Sequence, residues 1–170
     1  MITFCEKHKE HLRKKPQRKL SGDFTFTFYE SMLEVDKLIW DEVVGGKDFF
    51  LSTEYLHLIE RVHLPAIAHR YAVIYKNKIP VFVCFFQIID FTADIFGELV
   101  ESQIKDLTVT RLKLFEKYVD KYKDQIIMRV ITCGNNFISG EHCFAHSKDI
   151  KREEAFDILE KISLVVSKEE

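Results

Sequence analysis

Tyr71-Ala-Val-Ile-Tyr75, Lys76-Asn77-Lys78 and Ile79-Pro-Val-Phe-Val-Cys-Phe-Phe-Gln-Ile-Ile89 make up the stretch from which the fold is read. Two apolar runs rich in β-branched and aromatic residues flank a short polar turn, which is the pattern of an antiparallel hairpin. Asn77 suits the positive φ that such a turn demands. The second run is apolar on both faces, so it is expected to be a central strand covered by helices on both sides. Pro80 has no N–H to give to a ladder and belongs at that strand's start.

Toward the N-terminus, Phe24, Phe26 and Phe28 alternate with Thr25, Thr27 and Tyr29, which predicts a further strand. Ser31-Met-Leu-Glu34 reads as a capping box opening a helix. Val35, Leu38, Ile39 and Val43 are its expected inward face, and Gly45-Gly46 its end. Phe49-Phe50-Leu51 is an apolar connector; Ser52 caps a second helix with Leu56, Ile59 and Val62 on one face, closed by Pro65. Residues 6–20 hold too few apolar side chains to pack. Residues 1–20 are therefore expected to be a basic, flexible tail, and residues 21–170 one α/β domain.

Toward the C-terminus the spacing turns helical from Ala93 to Lys123. Phe96, Leu99, Val100 and Ile104 mark one helix; Leu112, Phe115, Val119 and Tyr122 mark a second. Ile126–Thr132 reads as a strand running into a polar elbow and a short return. Lys151–Val166 follows as a helix with Ala155, Leu159, Ile162 and Val166 inward, and Asp149 is the expected cap. The fold class is thus α/β in the α+β sense, a mixed, mostly antiparallel sheet flanked by helices. Trp40, Phe82 and Phe86 read as core.

Charge separates the tail from the domain. Residues 1–20 carry seven Lys/Arg against two Glu, which leaves 18 basic against 25 acidic residues in 21–170. An acidic folded part argues against nucleic acid as its partner. For the tail, anchoring to an anionic surface or RNA stands beside the plainer reading of a solvated charge run. Cys5, Cys84, Cys133 and Cys143 sit at no disulfide-framework spacing, which fits a reducing, cytoplasmic setting. The longest apolar run, Ile79 to Ile89, is far short of the ~20 residues of a membrane helix, so no membrane span is expected.

The uncharged chemical groups gather at Ile126–His146. Cys133-Gly134 ends the apolar run, and Asn135, Asn136, Ser139, Glu141, His142 and His146 lie just beyond. In α/β proteins ligands tend to bind at the carboxyl ends of strands. Cys133, His142, Cys143 and His146 also permit a zinc reading through a Cys-x-x-His spacing, but no second chelating pair exists, and no metal is expected. Cys133 with His142 or His146 would make a nucleophile pair. The plain alternative for Asn135, Asn136, Ser139 and Gly140 is a turn bonded to its own backbone.

The element order resembles the first half of the acyl-CoA N-acyltransferase fold of the GNAT superfamily. Phe49-Phe-Leu-Ser52-Thr-Glu-Tyr55-Leu56, the hairpin around Lys76-Asn-Lys78, and Cys133-Gly-Asn-Asn-Phe137 with Ser139-Gly-Glu-His142 are similar to segments of FemAB-like or peptidoglycan-biosynthesis-type members, across roughly residues 24 to 167. The resemblance implies acyl transfer from acyl-CoA to an amine. It places the acyl-CoA along Ile131, Thr132, Cys133, Gly134, Asn135 and Asn136, with N–H groups of the strand end and of the next helix start holding the thioester oxygen and the pyrophosphate. It offers Glu141, His142 and His146 as the catalytic base candidates. The family's Arg/Gln-x-x-Gly-x-Gly/Ala pyrophosphate loop has no counterpart here, and the chain stops after the helix that follows the fourth strand. Both departures imply an N-terminal half of the fold, from a longer protein or a short relative without transferase function. The alternative function is a non-catalytic binding module or homodimerisation unit whose open sheet edge pairs with another chain.

Overall fold

A computed structural model describes residues 15–46, 48–62, 67–92, 117, 121, 126–136, 138 and 143–170. The chain divides into two compact units, one of Met1–Gln87 with Ile131–Glu170 and the other of Ile88–Val130. The strands are β1 (Arg18–Ser21), β2 (Phe24–Tyr29), β3 (Ile67–Lys76), β4 (Ile79–Thr92), β5 (Ile126–Cys133) and β6 (Phe144–His146). The described helices are α1 (Lys37–Val44), α2 (Thr53–Arg61) and α3 (Arg152–Glu169). Strand order is β1-β2-β3-β4-β5, and β6 also pairs with β4. The β1–β2, β2–β3 and β4–β6 pairings are antiparallel, so the expected α+β class with an antiparallel sheet is present.

The hairpin forms where the sequence places it. Asn77 and Lys78 both take positive φ, 52° and 69°, the conformation of a two-residue turn whose twist matches the strands it joins. β4 lies between β3 and β5. Val81 to Phe86 are all buried, the pattern of a strand enclosed on both faces.

On one face of the first unit, Tyr29, Tyr71, Val73, Tyr75, Val83 and Phe85 form a cluster with Trp40, Val43 and Val44 of α1 and Leu56 of α2. Tyr71 stacks on Phe85 at 5.2 Å and meets Trp40 edge-on at 5.9 Å. Period-two alternation sends Phe82, Cys84 and Phe86 to the other face. There Phe82 stacks on Phe144, and Phe144 meets Phe156 of α3. α3 is further tied by Lys76–Glu154 and, at its C-terminal end, by Arg70–Glu170 at 2.5 Å and by an Arg18–Glu169 ion pair. In the second unit, Arg129 grips Asp90 through two parallel bonds of 2.5 and 2.7 Å, the bidentate geometry that suits guanidinium to carboxylate.

Several expectations are revised, among them an inward Val62, which lies past the last turn of α2 and is 61% exposed. Residues 18–20, grouped with the tail on composition, pair with β2 as β1; Arg18 lies over the Phe26 ring, so its aliphatic stem and charge both find partners. Ser31–Glu34 opens only a 3-10 turn, Met32–Glu34. α1 starts afresh because the Asp36 carboxylate accepts from the N–H groups of Leu38 and Ile39. The new start turns Trp40, Val43 and Val44 inward and leaves Leu38 81% exposed. In α3 the inward row is Ala155, Ile158, Ile162 and Val166, and Lys151 rather than Asp149 is the N-cap residue, with no side-chain cap bond. Pro65 and the helices expected over residues 93–123 lie outside the described residues, apart from Lys117 and Lys121. Gly45 ends α1 with φ 67°, in the left-handed region where a Cβ would be strained.

Candidate functional site

Ile131, Thr132 and Cys133 are the last residues of β5, half-buried, and the chain turns out of the strand at Gly134 with φ 107°. That conformation is costly for a residue with a Cβ. The Gly134 N–H donates to the Phe85 carbonyl at 2.8 Å. Asn135 is buried, and its Nδ2 donates to the Tyr55 hydroxyl at 3.2 Å. Asn136 gives both its backbone N–H (2.8 Å) and its Nδ2 (3.0 Å) to Gln87 Oε1. The elbow is thereby laced to β4 and to α2, and two of its backbone donors are already in use.

Gln87 is the residue that sequence reasoning passed over. It is fully buried, and its Nε2 has no hydrogen-bond partner among the described residues. A signal was present, since Gln87 is the one polar side chain in the run Val81–Ile89, and a polar group in a buried strand is held by a partner. Tyr55 supplies the contact from α2. It also packs against Phe49 and Phe50, with ring centroids 5.4 and 5.1 Å away.

His146 stands apart from the elbow. It ends β6, opposite Phe82, on the face that carries Phe144 and α3, whereas Gln87 and Tyr55 belong to the α1–α2 face. The His146 Nδ1–H donates to the Ser147 carbonyl at 2.9 Å. In the neutral ring that bond fixes the tautomer and leaves the lone pair on Nε2. Glu141 and His142, the other two expected catalytic residues, lie outside the described residues.

His146 lines a groove of about 1180 Å³. Its apolar lining includes Val44, Leu51, Ile79, Phe144 and Phe156; Lys148 and Arg152 bring positive charge beside the uncapped start of α3, and Glu42, Asp48 and Asp149 bring negative charge. A helix start without a cap leaves N–H groups for an anion or water. The groove contains none of Ile131 to Asn136.

Three cysteines converge near the elbow. Cys84 is fully buried in β4, where desolvation pushes its thiol well up. Cys133 is held far above the ordinary thiol range, first by a hydrogen bond with the Cys143 thiol and then by burial. A thiol so perturbed is a poor nucleophile at neutral pH, which disfavours the Cys133–imidazole pair. No group of three or more His, Cys, Asp or Glu side chains is arranged to hold a metal ion among the described residues. No described helix is long and apolar enough to cross a membrane.

Comparison with family models, with curated proteins and with solved structures gives no match.

Proposed function

We propose that this chain is a GNAT-like N-acyltransferase domain that takes acyl-CoA in the His146 groove, beside β6 and the start of α3, rather than along Ile131–Asn136. The observation that carries this reading is the meeting, in one groove, of an imidazole nitrogen with a lone pair, apolar lining residues and two cationic side chains. Acyl-CoA has the complementary parts, namely phosphates for Lys148, Arg152 and the α3 N–H groups, and an apolar arm for Phe144 and Phe156. His146 Nε2 then removes the proton from the acceptor amine as nitrogen attacks the thioester carbon, and the thiolate of coenzyme A departs.

Titration calorimetry with coenzyme A and acetyl-CoA tests this. Saturable binding that weakens at least tenfold in Arg152→Glu is expected. His146→Gln is expected to bind as the parent chain does and to transfer no acyl group.

A second reading, a non-catalytic binding or dimerisation module on the same half-fold, is favoured by the elbow itself. Donors that the resemblance assigns to thioester are spent on Phe85 and Gln87. No binding at millimolar coenzyme A, together with a dimer mass in solution, would replace the transferase reading by this one.

A further inference from the structure

Cys133 closes β5 and Cys143 stands immediately before β6, and one residue of β4 joins the two places. The Phe85 N–H donates to the Cys143 carbonyl at 3.1 Å, and the Phe85 carbonyl accepts from the Gly134 N–H at 2.8 Å. In a continuous antiparallel ladder both bonds of such a residue go to a single partner. Here they are divided between two segments, so Gly134 and Cys143 meet opposite the same residue and the intervening segment has a closed neck. At that neck the Cys133 thiol lies against Cys143, its S–H 3.8 Å from the Cys143 carbonyl oxygen. Both are half-buried and in the thiol form, whereas Cys84 is sealed inside the sheet.

We propose that Cys133 and Cys143 are a reversible disulfide site, a staple across the neck of segment 134–143 that forms by exchange with a small organic disulfide such as oxidised glutathione. The thiolate of one cysteine attacks a glutathione sulfur, breaks the glutathione disulfide and expels one glutathione thiolate, leaving a mixed disulfide on the protein. The thiolate of the other cysteine attacks the protein sulfur of that mixed disulfide. The Cys133–Cys143 bond forms and a second glutathione thiolate departs. Two electrons pass from the protein to glutathione, and the two thiol protons end on the released thiolates or in solvent. Proximity makes the second attack intramolecular and favours it over a stable mixed disulfide. The bond joins the end of β5 to the start of β6, and so ties Asn135 and Asn136 covalently to the strand that ends in His146. Exchange is slow at neutral pH and quickens as pH rises, because thiolate is the attacking form.

The full chain is incubated with oxidised glutathione under native conditions, remaining thiols are alkylated, and the disulfides are mapped by mass spectrometry. The expected product has lost two thiols without gaining glutathione and yields one cross-linked peptide pair containing Cys133 and Cys143, reversed by dithiothreitol. Cys133→Ser and Cys143→Ser, each removing one partner, are expected to stop at the mixed disulfide. A native chain that keeps all its thiols, one whose cross-link contains Cys5 or Cys84, or a mixed disulfide that never resolves overturns the proposal. Coenzyme A binding plays no part in this measurement, so failure here is separate from failure of the acyltransferase reading.

Discussion

Replacing Gln87 by Leu separates what the elbow gains from this residue from what the core loses by it. Gln87 is fully buried; its Oε1 takes two hydrogen bonds from Asn136, while its Nε2 has no partner among the described residues. Losing the two bonds costs about 1 kcal/mol each, and removing the unpaired buried amide NH2 returns about 1–3 kcal/mol. Global stability in urea is therefore expected to stay within about 1 kcal/mol of the parent chain, unusual for a change at a fully buried position. Locally there is no such offset. Asn136 loses both of its bonds to β4, while Gly134 keeps its bond to Phe85, so local opening at Asn136 becomes easier by about 2 kcal/mol and its amide exchanges about 30-fold faster. Amide hydrogen exchange read beside the urea midpoint gives both quantities on one sample. A global loss above about 3 kcal/mol would refute the reasoning, since it would mean that Nε2 is satisfied and Gln87 is a net stabiliser.

Three further outcomes follow from the same geometry. Trp40 is fully buried and donates from Nε1 to the Leu51 carbonyl at 2.7 Å; Trp40→Phe leaves that carbonyl unpaired and a gap beside Tyr71, and urea denaturation followed by circular dichroism should show a loss of about 3 kcal/mol. Leu56→Ala, at a fully buried position, is expected to cost about 2–5 kcal/mol in the same assay, while Leu38→Ala, on the open side of α1, stays within about 0.5 kcal/mol. Cys133 has its thiol pKa raised above the ordinary value of 9.0 by its hydrogen bond with Cys143 and by burial. Above that value the unfolded chain has shed the proton while the native chain still binds it, so stability is full below the unfolded pKa and falls as pH rises past it. Urea midpoints measured under reducing conditions should decline from about pH 9 upward, and Cys133→Ser should make that decline shallower without moving its onset, since burial still holds the Cys84 thiol up.

How much was legible depended on whether a residue's role is local. The β3–β4 hairpin follows from alternation and Asn77, and the burial of Trp40, Phe82 and Phe86 from apolarity in context; these are properties of neighbours in sequence. The start of α1 was misplaced because two serviceable caps, Ser31 and Asp36, lie five residues apart and both are used; only the register of the helix on the sheet decides between them. The site was the least legible part. Asn135 and Asn136 were read as turn or ligand residues, and their partners Tyr55 and Gln87 lie 80 and 49 positions away. No local pattern encodes such a pairing. The same holds for His146, whose surroundings come from α1, the start of β4 and α3.

The double duty of Phe85 has a bearing on how this protein can change. Because one residue anchors both Gly134 and Cys143, the sheet fixes the two ends of segment 134–143 at one point of β4, and Asn135 and Asn136 are held in addition by Tyr55 and Gln87. Doubling its length would add only about 0.6 kcal/mol of closure entropy. An insertion between Asn136 and Cys143 is therefore expected to leave the pairings of β5 and β6 with β4 in place, which makes that stretch a place to graft foreign sequence.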